Sequence, residues 1–454
     1  MTVAAARRVA LKALGRIRRD AAFSGPVLAA EISRAELSPE DVALATRLTY
    51  GVLAAQGVLD DVIGRHSHGQ LEPLVRDALR LAAFEILFGR TPVYAVVDQA
   101  VSAVRRVRPQ AAGLANAVLR RVAADAEEFP WGDPTTELNA LARAAAHPRW
   151  IVDLVLRDLG EARGREMLGT GIDAAPTYVR LDPFAEKPAT TLLTLETASP
   201  RPSPPDIDCL RLGTPAAALR RPAPGWFPMD AAAQMAPAAC RTGPGVRVLE
   251  IGAGRGNKTV CLQSIALRRG GPADILALDV HDAKTSQLRD RLATSRVPGV
   301  RAVTGDALGL DEILRAEGPF DVALLDAPCS GLGTLRRYPE KRWRLSPDTP
   351  ERMSALQLSL LVAAASSVGA HGRVVYSTCS VARRENDDVV DAFLEGETGV
   401  PFEIEPLGEL VPAEWSHFTT RRGCFQSWPT AGGPDGHYVA VLRRTDMRET
   451  ATGC

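Results

Sequence analysis

Apolar positions recur at helical spacing through the first 125 or so residues. Leu44, Leu48 and Val52 form one such series, Leu74, Ala78, Leu81 and Phe88 a second, and Val97, Val101 and Val104 a third. Val9, Leu14 and Ile17 would share one face of a helix at the N-terminus. Ser38-Pro39-Glu40 and Thr91-Pro92 have the chemistry of helix starts, and β-branched alternation is scarce. A helical bundle over residues 1–130 is therefore expected. A further helical stretch, His147 to Met167, leads into mixed sequence where Ser199-Pro200-Arg201-Pro202-Ser203-Pro204-Pro205 can continue neither a helix nor a central strand. Residues 140–225 read as a small connecting domain with short strands.

From residue 226 the period changes. Short apolar runs at Val246–Ile251, Ile275–Asp279, Val300–Val303, Val322–Asp326 and Val374–Thr378 alternate with helix-like segments at 258–268, 282–294 and 351–368. This alternation predicts a doubly wound, Rossmann-like α/β domain over 226–445, with ligands bound where the strands end.

Charge and composition narrow the picture. The 454 residues carry 54 basic and 54 acidic side chains, which excludes a globally basic nucleic-acid binder. Residues 101–124 nonetheless hold Arg105, Arg106, Arg108, Arg120 and Arg121 with no acid, so a basic face on the helical part is expected. Seven cysteines lie no closer than 21 residues apart, which leaves no CxxC pair and no metal-site spacing. Free thiols in a reducing cytoplasm fit that pattern. The N-terminus lacks the apolar core of a signal peptide, and the uncharged stretch Met353 to Ala370, interrupted by Ser and Gln, reads as a buried helix rather than a membrane span.

The strand ends carry the chemistry. Strand one runs into Gly252-Ala253-Gly254-Arg255-Gly256-Asn257-Lys258-Thr259, a turn whose glycines let backbone N–H groups approach a ligand. A Walker A loop would need Gly where Asn257 stands, and Asp326 imitates a Walker B acid, so a nucleotide hydrolase is a rival reading. Asp279 follows Gly256 by 23 residues, where a ribose-binding carboxylate belongs, and Asp306 is placed for an adenine amine. Glycine turn and acids together suit S-adenosyl-L-methionine, which has a ribose and an adenine but no phosphates.

Two cysteines then point to a reaction. Cys329 in Asp326-Ala327-Pro328-Cys329-Ser330 and Cys379 in Thr378-Cys379-Ser380 both fall at strand carboxyl ends. Methylation at C5 of a pyrimidine needs such a sulfur, because thiolate attack at C6 converts C5 into an enamine-like nucleophile. A free thiol, with pKa about 8.5, is only a few per cent thiolate at neutral pH, so the site must activate it. Asp326 would hydrogen-bond the N3/N4 edge of the cytosine.

These motifs resemble the Sun/Fmu (RsmB-like) family of bacterial 16S ribosomal RNA cytosine-C5 methyltransferases. The likeness rests on the blocks just quoted, on Arg336-Arg337-Tyr338-Pro339-Glu340 with Trp343, on Glu385-Asn386, on Asp230-Ala231-Ala232-Ala233-Gln234 and on Asp435-Gly436-His437-Tyr438. Leu48-Thr49-Tyr50-Gly51-Val52-Leu53, Val97-Asp98-Gln99-Ala100-Val101 and Asn116-Ala117-Val118-Leu119-Arg120 resemble the family's NusB-like helical domain. The resemblance implies Cys379 as nucleophile, Cys329 as the cysteine that assists product release, and cofactor contacts from the glycine turn with Lys258 and from Asp279, Asp306 and Asp326. The first motif departs from the family's usual Cys-Ala-Ala-Pro-Gly-Gly-Lys-Thr: only Ala253, Gly256, Lys258 and Thr259 match it.

The expected substrate is ribosomal RNA, free or within an assembling small subunit, with no membrane and no obligate protein partner. Arg336, Arg337, Lys341, Arg342 and Arg344, interleaved with Tyr338 and Trp343, read as phosphate and base contacts beside the site. The alternative is an RNA-binding assembly or antitermination factor with little turnover.

Overall fold

A computed structural model of the chain describes residues 3–184, 199–200, 209–212 and 225–445. These form two compact units: one comprises Met1–Ala175 and Leu335–Pro347, the other Pro176–Thr334 and Asp348–Cys454.

The first unit is all helical. Its helices are α1 (Ala5–Asp20), α2 (Ser24–Ser33), α3 (Pro39–Gly64), α4 (Pro73–Phe88), α5 (Val93–Val107), α6 (Ala112–Asp125), α7 (Leu138–Ala144), α8 (Arg149–Leu159) and α9 (Glu161–Gly169). Helix α3 starts as its sequence dictates: the Ser38 hydroxyl accepts from Asp41 N at 3.2 Å, Pro39 opens the first turn, and Glu40 and Asp41 face its positive end. Val9, Leu14 and Ile17 of α1 pack with Leu48, Val52 and Leu59 of α3 and with Leu79 and Leu81 of α4 in one core. Each such side chain contributes about 1.5–3 kcal/mol by leaving water. Leu74, expected in that core, is 40% exposed, because it lies in the first turn of α4. Helix α3 has the length and hydropathy of a membrane span, but its apolar residues line this core.

A strap from later in the chain completes the helical unit. Glu340 is buried and accepts from Ser24 N (3.0 Å) and Ser24 Oγ (2.9 Å). Arg342, 1% exposed, donates to the carbonyls of Ala146 (2.7 Å), Gly171 (3.0 Å) and Ala54 (3.4 Å). Burial pulls its guanidinium down to about 9. Trp343 donates to Ala54 O at 2.8 Å and lies on Gly57, where an added Cβ would come within 2.1 Å of its ring. This corrects the expectation that the whole basic run 336–344 serves RNA: Arg342 and Trp343 hold the protein's own backbone, and Arg336 is buried as well. The five arginines of 101–124 are exposed, Arg108 pairing with Glu72 at 3.1 Å.

The second unit holds a small antiparallel sheet and a large mixed one. The small sheet has the order β2-β3-β1-β4, from β1 (Tyr178–Leu181), β2 (Ser199–Pro200), β3 (Cys209–Arg211) and β4 (Trp226–Pro228). The segment expected as a connecting domain, 140–225, thus divides at Ala175, its first part helical and in the other unit. Residues 201–205 of the proline-rich loop lie outside the described residues.

The large sheet contains β5 (Arg247–Ile251), β6 (Asp274–Asp279), β7 (Val300–Thr304), β8 (Phe320–Asp326), β9 (Val368–Thr378), β10 (Phe402–Glu405), β11 (Phe425–Gln426) and β12 (Tyr438–Arg444). Its order is β10-β12-β9-β8-β5-β6-β7, with β11 paired to β12. Strands β5 to β9 pair in parallel, and β12 runs antiparallel to both β9 and β10. The five parallel strands match the five apolar runs of the sequence. The antiparallel edge was not anticipated. Strand order reverses between β5 and β8, and ligands of open α/β sheets bind at that crevice.

Candidate active site

The turn after β5 needs its glycines. Gly252 has φ +83°, and a Cβ there would come within 2.5 Å of the Asp326 carbonyl. Gly256, also at φ +83°, caps the helix Asn257–Arg268, and its Cβ would strike Leu288 at 2.3 Å. Gly254 (φ +58°) differs: an added Cβ would meet nothing nearer than 3.9 Å, so this backbone has open space above it for a ligand. Asp279, buried at the end of β6, fastens the turn by accepting from Gly254 N (3.0 Å) and His281 N (2.9 Å). Gly305 N donates to Asp279 O at 3.1 Å, which brings the end of β7 alongside.

The remaining expected cofactor residues divide. Ala253 is buried in the turn, and exposed Arg255 offers its carbonyl to Arg291. Asn257 spends its side chain within the protein, donating to Pro228 O (3.3 Å) and accepting from Arg291 (2.8 Å). Asp306 is exposed and caps its own turn, accepting from Leu308 N at 3.0 Å. Val280 (59% exposed) directly follows β6, and Leu308 (52%) lies in the turn Ala307–Gly309 that follows β7. Neither drew notice in the sequence, although each lies within two positions of a predicted site acid.

Lys258 and Asp326 form an ion pair, Nζ to Oδ2 2.6 Å. Burial alone would lower the Lys258 ammonium, but the Asp326 carboxylate outweighs it, and the Cys379 sulfur adds in the same direction, so the lysine is held above its ordinary value. The two candidate sulfurs meet: Cys329 Sγ and Cys379 Sγ are 3.2 Å apart. The hydrogen bond with Cys379, then burial, then the charges of Cys379 and Glu385 push the Cys329 thiol well above the usual range. The Lys258 charge is thus coupled to one sulfur and the Glu385 charge to the other. The loops behind them are zipped together, Ala327 N donating to Ser377 O (2.9 Å) and Gly333 N to Cys379 O (3.0 Å). Asp230, from the Asp-Ala-Ala-Ala-Gln block, accepts from Asp435 N (3.1 Å), so two blocks 205 residues apart adjoin.

Comparison with known proteins decides the family. Residues 240–443 match the family described as 16S rRNA methyltransferase RsmB/F, and residues 4–124 match the NusB family. A Mycobacterium tuberculosis protein named as a candidate methyltransferase is 31% identical, over 97% of this chain and 96% of its own. The chain belongs to the RsmB/F family. Another relative, ribosomal RNA small subunit methyltransferase B of Salmonella agona, is 29% identical over 81% of this chain and 86% of its own. The crystal structure of PH0851 has the same fold, with TM-score 0.78 at 23% identity over 97% of this chain and 98% of that one. A methyltransferase homolog from Pyrococcus horikoshii shares the fold at TM-score 0.54 and 20% identity, over 69% of this chain and all of that one. As an RsmB/F-family methyltransferase, the protein has no further need of the hydrolase reading. Ser330 and Ser380, quoted in the sequence only as parts of the cysteine motifs, and Gln357, which no motif includes, share one partner in this site, Glu385.

Proposed function

We propose that this RsmB/F-family protein transfers a methyl group from S-adenosyl-L-methionine to C5 of a cytosine in 16S ribosomal RNA, through a transient bond between Cys379 Sγ and C6 of the ring. The observation that carries this reading is the pair of strand-end sulfurs 3.2 Å apart together with the half-buried Lys258–Asp326 ion pair. Bound S-adenosyl-L-methionine supplies an electrophilic methyl on its sulfonium. The space over Gly254 and the tethered Asp279 fit its polar parts, and the apolar Val280 and Leu308 suit the faces of an adenine.

The chain's own groups divide the remaining work. The Lys258 cation favours the Cys379 thiolate, and it offsets the negative charge that the thiolate donates to the ring. Asp326 holds Lys258 through Oδ2, leaving Oδ1 to accept from the cytosine amino group. Cys329, kept protonated, donates its S–H to the Cys379 sulfur. Once C5 has been methylated, its proton passes to solvent, the C5–H electron pair forms the C5=C6 double bond, and the C6–S bond breaks with its pair leaving on the Cys379 sulfur. The Cys329 thiol then stabilises the departing thiolate. A cytosine inside a duplex is out of reach of a thiol, so the target base is unpaired or flipped out.

Cys379→Ala is expected to abolish methylation of 16S RNA while leaving the thermal melt unchanged; full activity in that variant overturns the assignment. Cys329→Ala is expected to accumulate a covalent RNA adduct, seen as a mass-shifted band on a denaturing gel, and the double variant to lose it. Bisulfite mapping of 16S RNA from cells with and without the protein identifies the base.

A further inference from the structure

The two sulfurs sit beyond neighbouring strands, β8 and β9, whose loops already share the backbone bonds Ala327 N to Ser377 O and Gly333 N to Cys379 O. A side chain carried by neither strand joins the residues that follow the two cysteines. Glu385, fully buried in the turn Arg383–Glu385, accepts from Ser330 N at 2.7 Å and from Gln357 Nε2 at 3.3 Å through Oε1. Its Oε2 accepts from Ser380 Oγ at 2.5 Å and from Ser330 Oγ. Ser330 and Ser380 are the residues that immediately follow Cys329 and Cys379. Their hydroxyls are 3.2 Å apart, the same separation as the sulfurs. Gln357 also donates to Pro328 O at 2.8 Å, steadying the residue before Cys329.

The turn that bears Glu385 is itself anchored. Tyr376 OH donates to Glu385 O at 2.6 Å, and the neighbouring Asn386 accepts from Thr378 Oγ1 (2.6 Å) and donates to Ser380 O (3.0 Å). A buried carboxylate persists only where its lone pairs are saturated, and charge-assisted bonds of this kind are short and directional. Here every donor belongs to, or supports, a residue adjacent to a reactive sulfur.

We infer that Glu385 is a positioning residue for methyl transfer, its carboxylate clamping the two cysteine loops so that both sulfurs face one substrate ring. This rests on the cysteine mechanism proposed above. The clamp explains why small hydroxyl residues follow both cysteines: only a short donor reaches a shared carboxylate without displacing the sulfur. The same negative charge favours the protonated form of Cys329.

The test reads sulfur geometry apart from turnover. Diamide oxidises two adjacent thiols to a disulfide, taking one hydrogen from each and becoming the hydrazine. Cys329–Cys379 cross-linking is followed by mass spectrometry of the linked peptides. Glu385→Ala is expected to slow cross-linking at least tenfold, and to lower kcat by about 100-fold with KM for cofactor and RNA nearly unchanged, as about 1 Å of misplacement does. Glu385→Gln keeps an acceptor for Ser330 N and should restore most of the cross-linking rate. It removes the charge, so the pH profile of Cys329 alkylation should move to lower pH. Should Glu385→Ala fail to fold by circular dichroism, the Ser330→Ala, Ser380→Ala double variant reads the same clamp. Wild-type cross-linking in the folded variant, or a profile unmoved in Glu385→Gln, overturns the inference. Full activity of Cys379→Ala would instead remove the cysteine mechanism, and with it the catalytic purpose of the clamp.

Discussion

The six described cysteines separate by environment. Cys209, Cys240, Cys261 and Cys424 are buried, and burial pushes their thiols up, Cys209 to about 12. Such thiols are small apolar residues with no nucleophile to offer. Of these six, only Cys329 and Cys379 are partly open. Glu250 presents the opposite problem, a fully buried acid pushed up to about 8 by burial, which outweighs the opposing effects of the Thr259 hydroxyl and the Lys258 charge. Its folded-state value lies above its unfolded one, so between the ordinary 4.5 and about 8 the folded protein binds more protons than the unfolded chain. Its contribution to stability then falls as pH rises through that window, by up to about 1.4 kcal/mol per unit. Glu250→Gln should flatten that slope and raise stability at pH 7.5, as measured by denaturant unfolding at several pH values. An unchanged slope rejects the assignment.

At the scale of elements, the parallel strands, the helices between them and both strand-end cysteines were legible, because local period and neighbouring residues determine them. The basic strap was misread for a physical reason. A run of cations interleaved with aromatics looks identical whether it faces phosphates or backbone carbonyls, and the partners of Arg342 lie 171, 196 and 288 residues away. The Glu385 clamp was hidden similarly, since Ser330 is 55 residues from it. Gly57→Val should unseat Trp343 from helix α3 and cost about 1–3 kcal/mol by overpacking, seen as a lowered melting temperature with a red-shifted tryptophan emission. The exposed arginines of α5 contribute differently. Arg105→Ala with Arg106→Ala should weaken 16S RNA binding and reduce the slope of log K against log salt by about 2, sparing cofactor binding. An unaltered slope places the RNA elsewhere.

Across the whole molecule, the helical unit is discontinuous in sequence, and its interior includes residues from two distant stretches. A fragment of residues 1–175 lacks Glu340, Arg342 and Trp343, leaving the Ser24 donors and the Ala146 and Gly171 carbonyls without those partners. It should melt below the intact protein, and a synthetic peptide of residues 335–347 should raise its melting temperature in a concentration-dependent way. No shift at millimolar peptide would show that the strap is dispensable.

The strap also sets a schedule for biosynthesis. Residues 176–334, 159 in number, are made after the last helix of the first unit and before the strap. At roughly 5–20 residues per second the ribosome spends about 8–30 s on them. Throughout that interval the nascent bundle has an open slot along Gly57, and the chain reaches the closing piece only after the Pro328-Cys329 loop has been translated.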